Sequence, residues 1–164
     1  MHLTAKEKKD VVIRKSRNGR GVFARREFLP GETVFRVMGK RITCNEDDEM
    51  DDRTRANTYR YDADTYISPA GRVGDLLNHS CAPNAKVVRD GAKLLIVAAL
   101  RIPAGEEVAI DYSTILGADD VWEMRCNCGA KNCRGIIRSF NTLPPTLRKK
   151  YRALGMVPAY ILAA

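Results

Sequence analysis

A mainly β fold built from several small sheets is what this sequence predicts, on three observations. Apolar runs are short and rich in β-branched residues, Gly and Pro turns separate them, and no helical periodicity of useful length appears before residue 140. The chain of 164 residues is long enough for one domain with a core of its own. No internal repeat or low-complexity linker divides it.

The first strand signals are Val11-Val12-Ile13 and Val22-Phe23-Ala24, split by the Gly19-Arg20-Gly21 turn. Leu29-Pro30-Gly31-Glu32 then turns the chain into a strand from Thr33 to Met38. Residues 44–57 are polar and acidic, with Glu46-Asp47-Asp48-Glu49 followed by Asp51-Asp52, and read as an irregular or short helical excursion at the surface. Tyr59, Tyr61 and Tyr66 recur at near strand spacing and predict a hairpin. Leu94 to Leu100 is continuously apolar, and the Pro103-Ala104-Gly105-Glu106 turn leads to a second strand from Val108 to Ile110. The one helix of good pattern lies near the end. Pro144-Pro145 opens it, Leu147, Tyr151 and Leu154 share a face, and Gly155 stops it.

Apolar residues at 45% and charged residues at 29% are ordinary for a globular protein, and no apolar run approaches the roughly 20 residues of a membrane helix. The first residues carry no apolar segment of signal-peptide type, so a cytoplasmic, nuclear or nucleoid-associated location is expected. A net charge of +8 favours acidic partners, nucleic acid among them, although such an excess also simply maintains solubility.

The cysteines are the most specific chemical signal. Cys126, Cys128 and Cys133 form a C-x-C-x4-C cluster, one thiolate short of the tetrahedral set that a structural zinc prefers. Only Cys44 and Cys81 remain to complete it. Cys44 borders the acidic stretch, whereas Cys81 follows Asn78-His79-Ser80 and precedes a Pro-Asn turn, which favours Cys81.

Four segments occur in order: Gly19-Arg20-Gly21-Val22-Phe23-Ala24, Asn78-His79-Ser80-Cys81-Ala82-Pro83-Asn84, Gly105-Glu106-Glu107-Val108-Ala109-Ile110-Asp111-Tyr112, and the cysteine cluster. Together they resemble the SET-domain family of protein lysine methyltransferases, from about residue 12 to about residue 137. The resemblance includes the zinc-binding post-SET segment and lacks the pre-SET zinc cluster. It implies a β-clip-like fold of small sheets with a knot-like C-terminal threading. The implied organisation is an N-terminal extension at 1–11, the SET domain at 12–115, the post-SET segment at 116–137 and a helical extension at 138–164. It further implies S-adenosylmethionine (SAM) as methyl donor and a structural Zn2+ held by Cys81, Cys126, Cys128 and Cys133. Arg20, Gly21, Val22, Asn78 and His79 would bind the cofactor, and Trp122 and Met124 would cover its adenine. Tyr59 and Ile110 would line the target-lysine channel, and Tyr112 would be the catalytic residue. The acceptor would be a basic protein or peptide, histone-like in the family's best-known cases, and the acidic stretch from Glu46 to Asp52 suits such a partner.

A Gly-x-Gly turn lets backbone approach a ligand closely, and a tyrosine hydroxyl, uncharged at neutral pH, can orient an amine for in-line transfer. The chain departs from the family at three places. Ile110 stands where Tyr or Phe is common, which leaves room around the amine and predicts di- or trimethylation. Val37 replaces a Tyr in Val37-Met38-Gly39, and Asp75 replaces a frequent Arg. The rival readings are a zinc-stabilised module that binds nucleic acid without catalysis and a methyltransferase for a small amine. The basic tail, Arg148-Lys149-Lys150 and Arg152, reads first as a solvated helix face and second as a dock for an acidic partner.

Overall fold

The computed structural model describes residues 3–163; the side chains of Asp52 and Arg53, and with them part of the acidic stretch, lie outside the described residues, as do Met1, His2 and Ala164. Helix α1 (Ala5–Asp10) comes first, begun by a capping box in which Thr4 and Glu7 satisfy each other's free backbone N–H groups. Strands β1 (Val11–Ser16) and β2 (Gly19–Ala24) then pair antiparallel, with Arg14 opposite Gly21. Next come β3 (Thr33–Val37), β4 (Lys40–Thr43) and two short helices, α2 (Cys44–Asp48) and α3 (Asp52–Arg55), in the acidic excursion.

The tyrosine-rich segment forms the expected hairpin from β5 (Tyr59–Arg60) and β6 (Thr65–Ser68), and β4 completes that sheet in the order β4-β6-β5. A 3-10 turn at Val73–Leu76 precedes β7 (Asn78–His79). Strands β8 (Ala85–Asp90) and β9 (Lys93–Ala98) join β3 in a second three-stranded sheet. Its middle strand, β9, is the longest apolar run, as a strand covered on both faces requires. Gly39 meets the carbonyl of Ser68 so closely that a Cβ there would lie 2.1 Å from its oxygen.

Strand β10 (Ala109–Ile110) pairs in parallel with β7, setting Ile110 beside His79. This pairing brings the Asn-His segment against the Asp111-Tyr112 segment. A 3-10 turn at Tyr112–Ile115 follows, then a small ladder of β11 (Met124–Arg125) and β12 (Ile136–Ile137) that encloses the cysteine knuckle. Helix α4 (Pro145–Ala153) starts with proline in its first turn, and Gly155 at φ +57° closes its end. The last element is α5 (Ala159–Leu162).

The main core gathers Val22, Phe28, Tyr59, Leu94, Ile96, Ile102 and Ile110 from most of the sheets. A second apolar cluster, Phe140, Leu143, Tyr151, Met156, Val157 and Ile161, seats the C-terminal segment, and Tyr160 packs against both. Among the described residues no helix is long and apolar enough to cross a membrane.

Candidate active site and metal centre

Tyr112 borders two openings. The first and larger is a cleft whose walls include Asn18, Asn57, Asn78, His79, Met124 and Tyr112. The second is a pocket walled by Asp47, Arg60, Tyr66, Asp120, Trp122 and again Tyr112. The two residues expected to cover the cofactor adenine thus line different openings, Met124 the first and Trp122 the second. The Trp122 ring centroid lies 6.5 Å from that of Tyr112.

Backbone carbonyls fix both tyrosine hydroxyls. Tyr112 donates to the Leu77 carbonyl at 2.6 Å, and Tyr59 donates to the Gly74 carbonyl at 2.8 Å from full burial. Burial pushes the Tyr112 pKa well up, and the carboxylates of Glu107 and Asp75 add to the shift. Burial likewise raises Tyr59. Both are therefore neutral phenols across the physiological range.

Behind the first cleft, Gly21 of β2 faces the Asn78 side chain. A Cβ on Gly21 would lie 2.1 Å from Glu107 Oε1 and 2.9 Å from Asn78 Nδ2. Asn78 donates from that nitrogen to the Arg20 carbonyl at 3.1 Å and to Glu107 Oε1 at 2.7 Å, while Ser16 donates to Glu107 Oε2 at 2.8 Å. Arg20 is exposed, Val22 is fully buried in the core, and neither they nor Gly21 line either opening. Glu107 was not singled out by the sequence, and neither was Asn84. The Asn84 side chain accepts from the Ala109 N–H at 2.9 Å and donates to the Glu107 carbonyl at 2.8 Å, holding the approach to β10 in place.

Ile110 is fully buried, and neither opening counts it in its wall. Val37 is a core residue of β3, and Asp75 caps a turn by accepting from the Gly71 N–H at 3.2 Å. Arg60, almost fully buried, is ion-paired with Asp119 and with Asp120 at 3.0 Å, and Tyr66 donates to Asp120 at 2.8 Å. This network ties the loop before Trp122 to the β5–β6 hairpin.

The cysteine knuckle folds onto the Asn-His segment. Ligand atoms of His79, Cys81, Cys126 and Cys128 all lie within 4.8 Å of one another. Thiolates held about 2.3 Å from a tetrahedral zinc stand about 3.8 Å apart, and the Cys81 and Cys126 sulfurs are 3.8 Å apart. The Cys133 thiol, expected as a ligand, is not one of these four; it adjoins those of Cys126 and Cys128 and lies 3.9 Å from the Cys126 carbonyl. Cys44 lies elsewhere, on α2, with its thiol 3.9 Å from the Ala63 carbonyl. Spacing and donor chemistry therefore fit a closed zinc site.

His79 links this knuckle to the tyrosine. Its Nδ1 accepts the Tyr112 N–H at 3.0 Å, which places the proton of the neutral ring on Nε2, 3.3 Å from the Cys81 sulfur. In that tautomer Nε2 donates to Cys81. Burial lowers the His79 pKa to about 4, with Asp111 opposing the shift and Arg134 adding to it. Burial raises Cys81 and Cys126. It works the same way on Cys128, but N–H groups of Cys81 and Ala130 outweigh it and bring that thiol down to about 7.

A family pattern described as SET domain matches residues 19–113, and the chain belongs to that family. It is 32% identical over 148 residues to human histone-lysine N-methyltransferase 2B, which covers 83% of this chain and 5% of that protein. It is 30% identical over 145 residues to the Saccharomyces cerevisiae histone-lysine N-methyltransferase specific for H3 lysine 4, covering 80% of this chain and 13% of that protein. Over 139 residues it is 31% identical to human histone-lysine N-methyltransferase 2D, covering 77% of this chain and 2% of that protein. The chain thus spans a small fraction of the length of these relatives.

Proposed function

We propose that the chain is a SAM-dependent protein-lysine N-methyltransferase acting on a histone or a histone-like basic protein. The observation that carries this reading is the position of Tyr112, whose ring borders two separate openings. The larger cleft would take the donor against Asn78, His79 and Met124. The pocket beside Trp122 would admit the lysine. When bound, SAM supplies a methyl group made electrophilic by its sulfonium.

Tyr112 spends its O–H on Leu77, so its oxygen keeps lone pairs for the incoming amine. Tyr59 is held in the same way beside it. Cys81, Cys126, Cys128 and Cys133 are the ligand set we assign to zinc, with His79 a donor to Cys81. The metal would pin the segment that carries Met124 and Trp122. Nucleic-acid binding without catalysis is the weaker reading, because the relatives are named as methyltransferases throughout.

The test is incubation with SAM and a histone H3 peptide, read by mass spectrometry. Di- and trimethyl products are expected because Ile110 stands where a Tyr or Phe is common in the family, although its side chain packs in the core and borders neither opening. A product that stops at one methyl removes the role given to Ile110, and no product on histone or other basic peptides removes the activity.

Two further results are expected. Gly21→Ala would drive Asn78 and Glu107 apart and weaken SAM binding about tenfold, read by calorimetry. The acceptor lysine must lose a proton, at a cost of roughly 4 to 5 kcal/mol near neutrality. A tyrosine with a raised pKa stays protonated as pH rises, so kcat/KM should climb about tenfold per unit between about pH 7 and 9 without a falling limb. A bell-shaped profile within that window would show a second titrating group in the site.

A further inference from the structure

Asp111, immediately before Tyr112, is among the most buried charges in the molecule; besides the Ser113 N–H at 3.1 Å and His79 Nδ1 at 3.5 Å, its carboxylate takes partners from segments outside the residues that match the family pattern. Arg134 grips its carboxylate with both terminal nitrogens at 2.7 Å, and Tyr151 of α4 donates to it at 2.9 Å. Arg134 also donates to Ser113 Oγ at 3.1 Å, one residue beyond the tyrosine. The Arg134 backbone N–H points at the Cys81 sulfur at 3.4 Å, and Asn132 donates to the Cys81 carbonyl at 2.9 Å. One carboxylate is thus held at once by the β core, the cysteine knuckle and the C-terminal helix.

We propose that Arg134 and Tyr151 are positioning residues for methyl transfer, clamping Asp111 so that the docked knuckle and α4 set where the Tyr112 hydroxyl stands. The inference rests on the methyltransferase reading above. A forked, bidentate guanidinium fixes a carboxylate in both direction and rotation, which a single ammonium does not. The side chain of Asp111 is fully enclosed and that of Arg134 is only 16% exposed, so little water is present to replace either partner. The next residue along the backbone is the tyrosine, and an error of about 1 Å at a reacting group can cost about 100-fold in rate. His79 makes a second connection between knuckle and tyrosine, through the Tyr112 N–H.

The test compares three variants of the full chain. Arg134→Lys keeps the charge and loses the fork, Tyr151→Phe loses one hydroxyl, and Tyr160→Phe removes a buried hydroxyl of the same C-terminal segment that has no hydrogen-bond partner. Arg134→Lys should lower kcat about 10- to 100-fold and Tyr151→Phe several-fold less. Both should retain one equivalent of zinc and keep the KM for SAM within about twofold, and Tyr160→Phe should match the parent. Hydrogen exchange gives a readout that does not need turnover: the amides of Tyr112 and Ser113 should lose protection in the first two variants only. Unchanged protection there overturns the clamp, even if the parent proves inactive, and a fall in kcat that tracks zinc loss overturns it in favour of a purely structural role. An inactive parent with the predicted loss of protection would overturn the methyltransferase reading and leave the clamp standing.

Discussion

Tyr112→Phe should reduce methyl transfer by about 100-fold or more while SAM binding stays nearly intact. The substitution removes one oxygen and leaves the ring, so the edge-on contact with His79 at 5.3 Å between centroids and the packing towards Trp122 persist. What disappears is the hydroxyl anchored on Leu77 and the lone pairs it directs at the amine. Donor affinity should survive because the larger cleft owes its walls mostly to Asn78, His79, Met124 and the knuckle. Calorimetry with SAM alongside a labelled-methyl assay separates the two quantities. Undiminished turnover would take Tyr112 out of the mechanism, and joint loss of binding and turnover would make it part of the donor site. Tyr59→Phe offers a graded comparison. Its hydroxyl binds a backbone carbonyl in the same turn region, so a smaller fall is expected there.

Much of the β architecture was legible because the signals are local. Strand β9, the tyrosine hairpin and α4 each carry their pattern, turn or cap residues within their own span, whereas β8 is not among the strands that the sequence predicts. Helix α1 was missed, since 6 residues give too little periodicity; its only mark is the Thr4-x-x-Glu7 capping box. At the site, residues joined by a motif were visible and residues joined by packing were not. Asn78, His79, Cys81 and Tyr112 come together through the pairing of β7 with β10, and each sits in a recognisable string. The hold of Arg134 and Tyr151 on Asp111 reaches across 23 and 40 residues, and no spacing rule announces such a contact. The one available hint for Arg134 was its place directly after Cys133. Trp122 and Met124 read as a pair two positions apart, yet the backbone between them turns one towards each opening.

Removing zinc should abolish most methyl transfer before it disturbs the β core. The main apolar cluster contains none of the cysteines, so the sheets keep their packing when the knuckle opens. Apart from the hold of Arg134 on Asp111 and of Asn132 on the Cys81 carbonyl, the knuckle has little else to fix it: its ladder is two residues long on each strand, and Met124 and Ile136 on it are exposed. A structural zinc in such a segment supplies the folding free energy of that segment. Cys81→Ser should therefore lower zinc content and loosen residues 124–137, with activity falling about tenfold or more. Cys44→Ser should do neither, because that thiol lies on α2. Cys133→Ser should behave like Cys81→Ser, whereas His79→Gln, which changes a donor to Cys81 and not a ligand, should keep its metal. Metal analysis of the four variants, with thermal unfolding of the core as the control, decides the ligand set. Zinc retained by Cys133→Ser and lost by His79→Gln would give the fourth position to the imidazole. Because Cys81 and Arg134 are both tied to the residues around Tyr112, metal loss should also release protection at the Tyr112 amide, linking the knuckle to the chemistry without any change in the sheets.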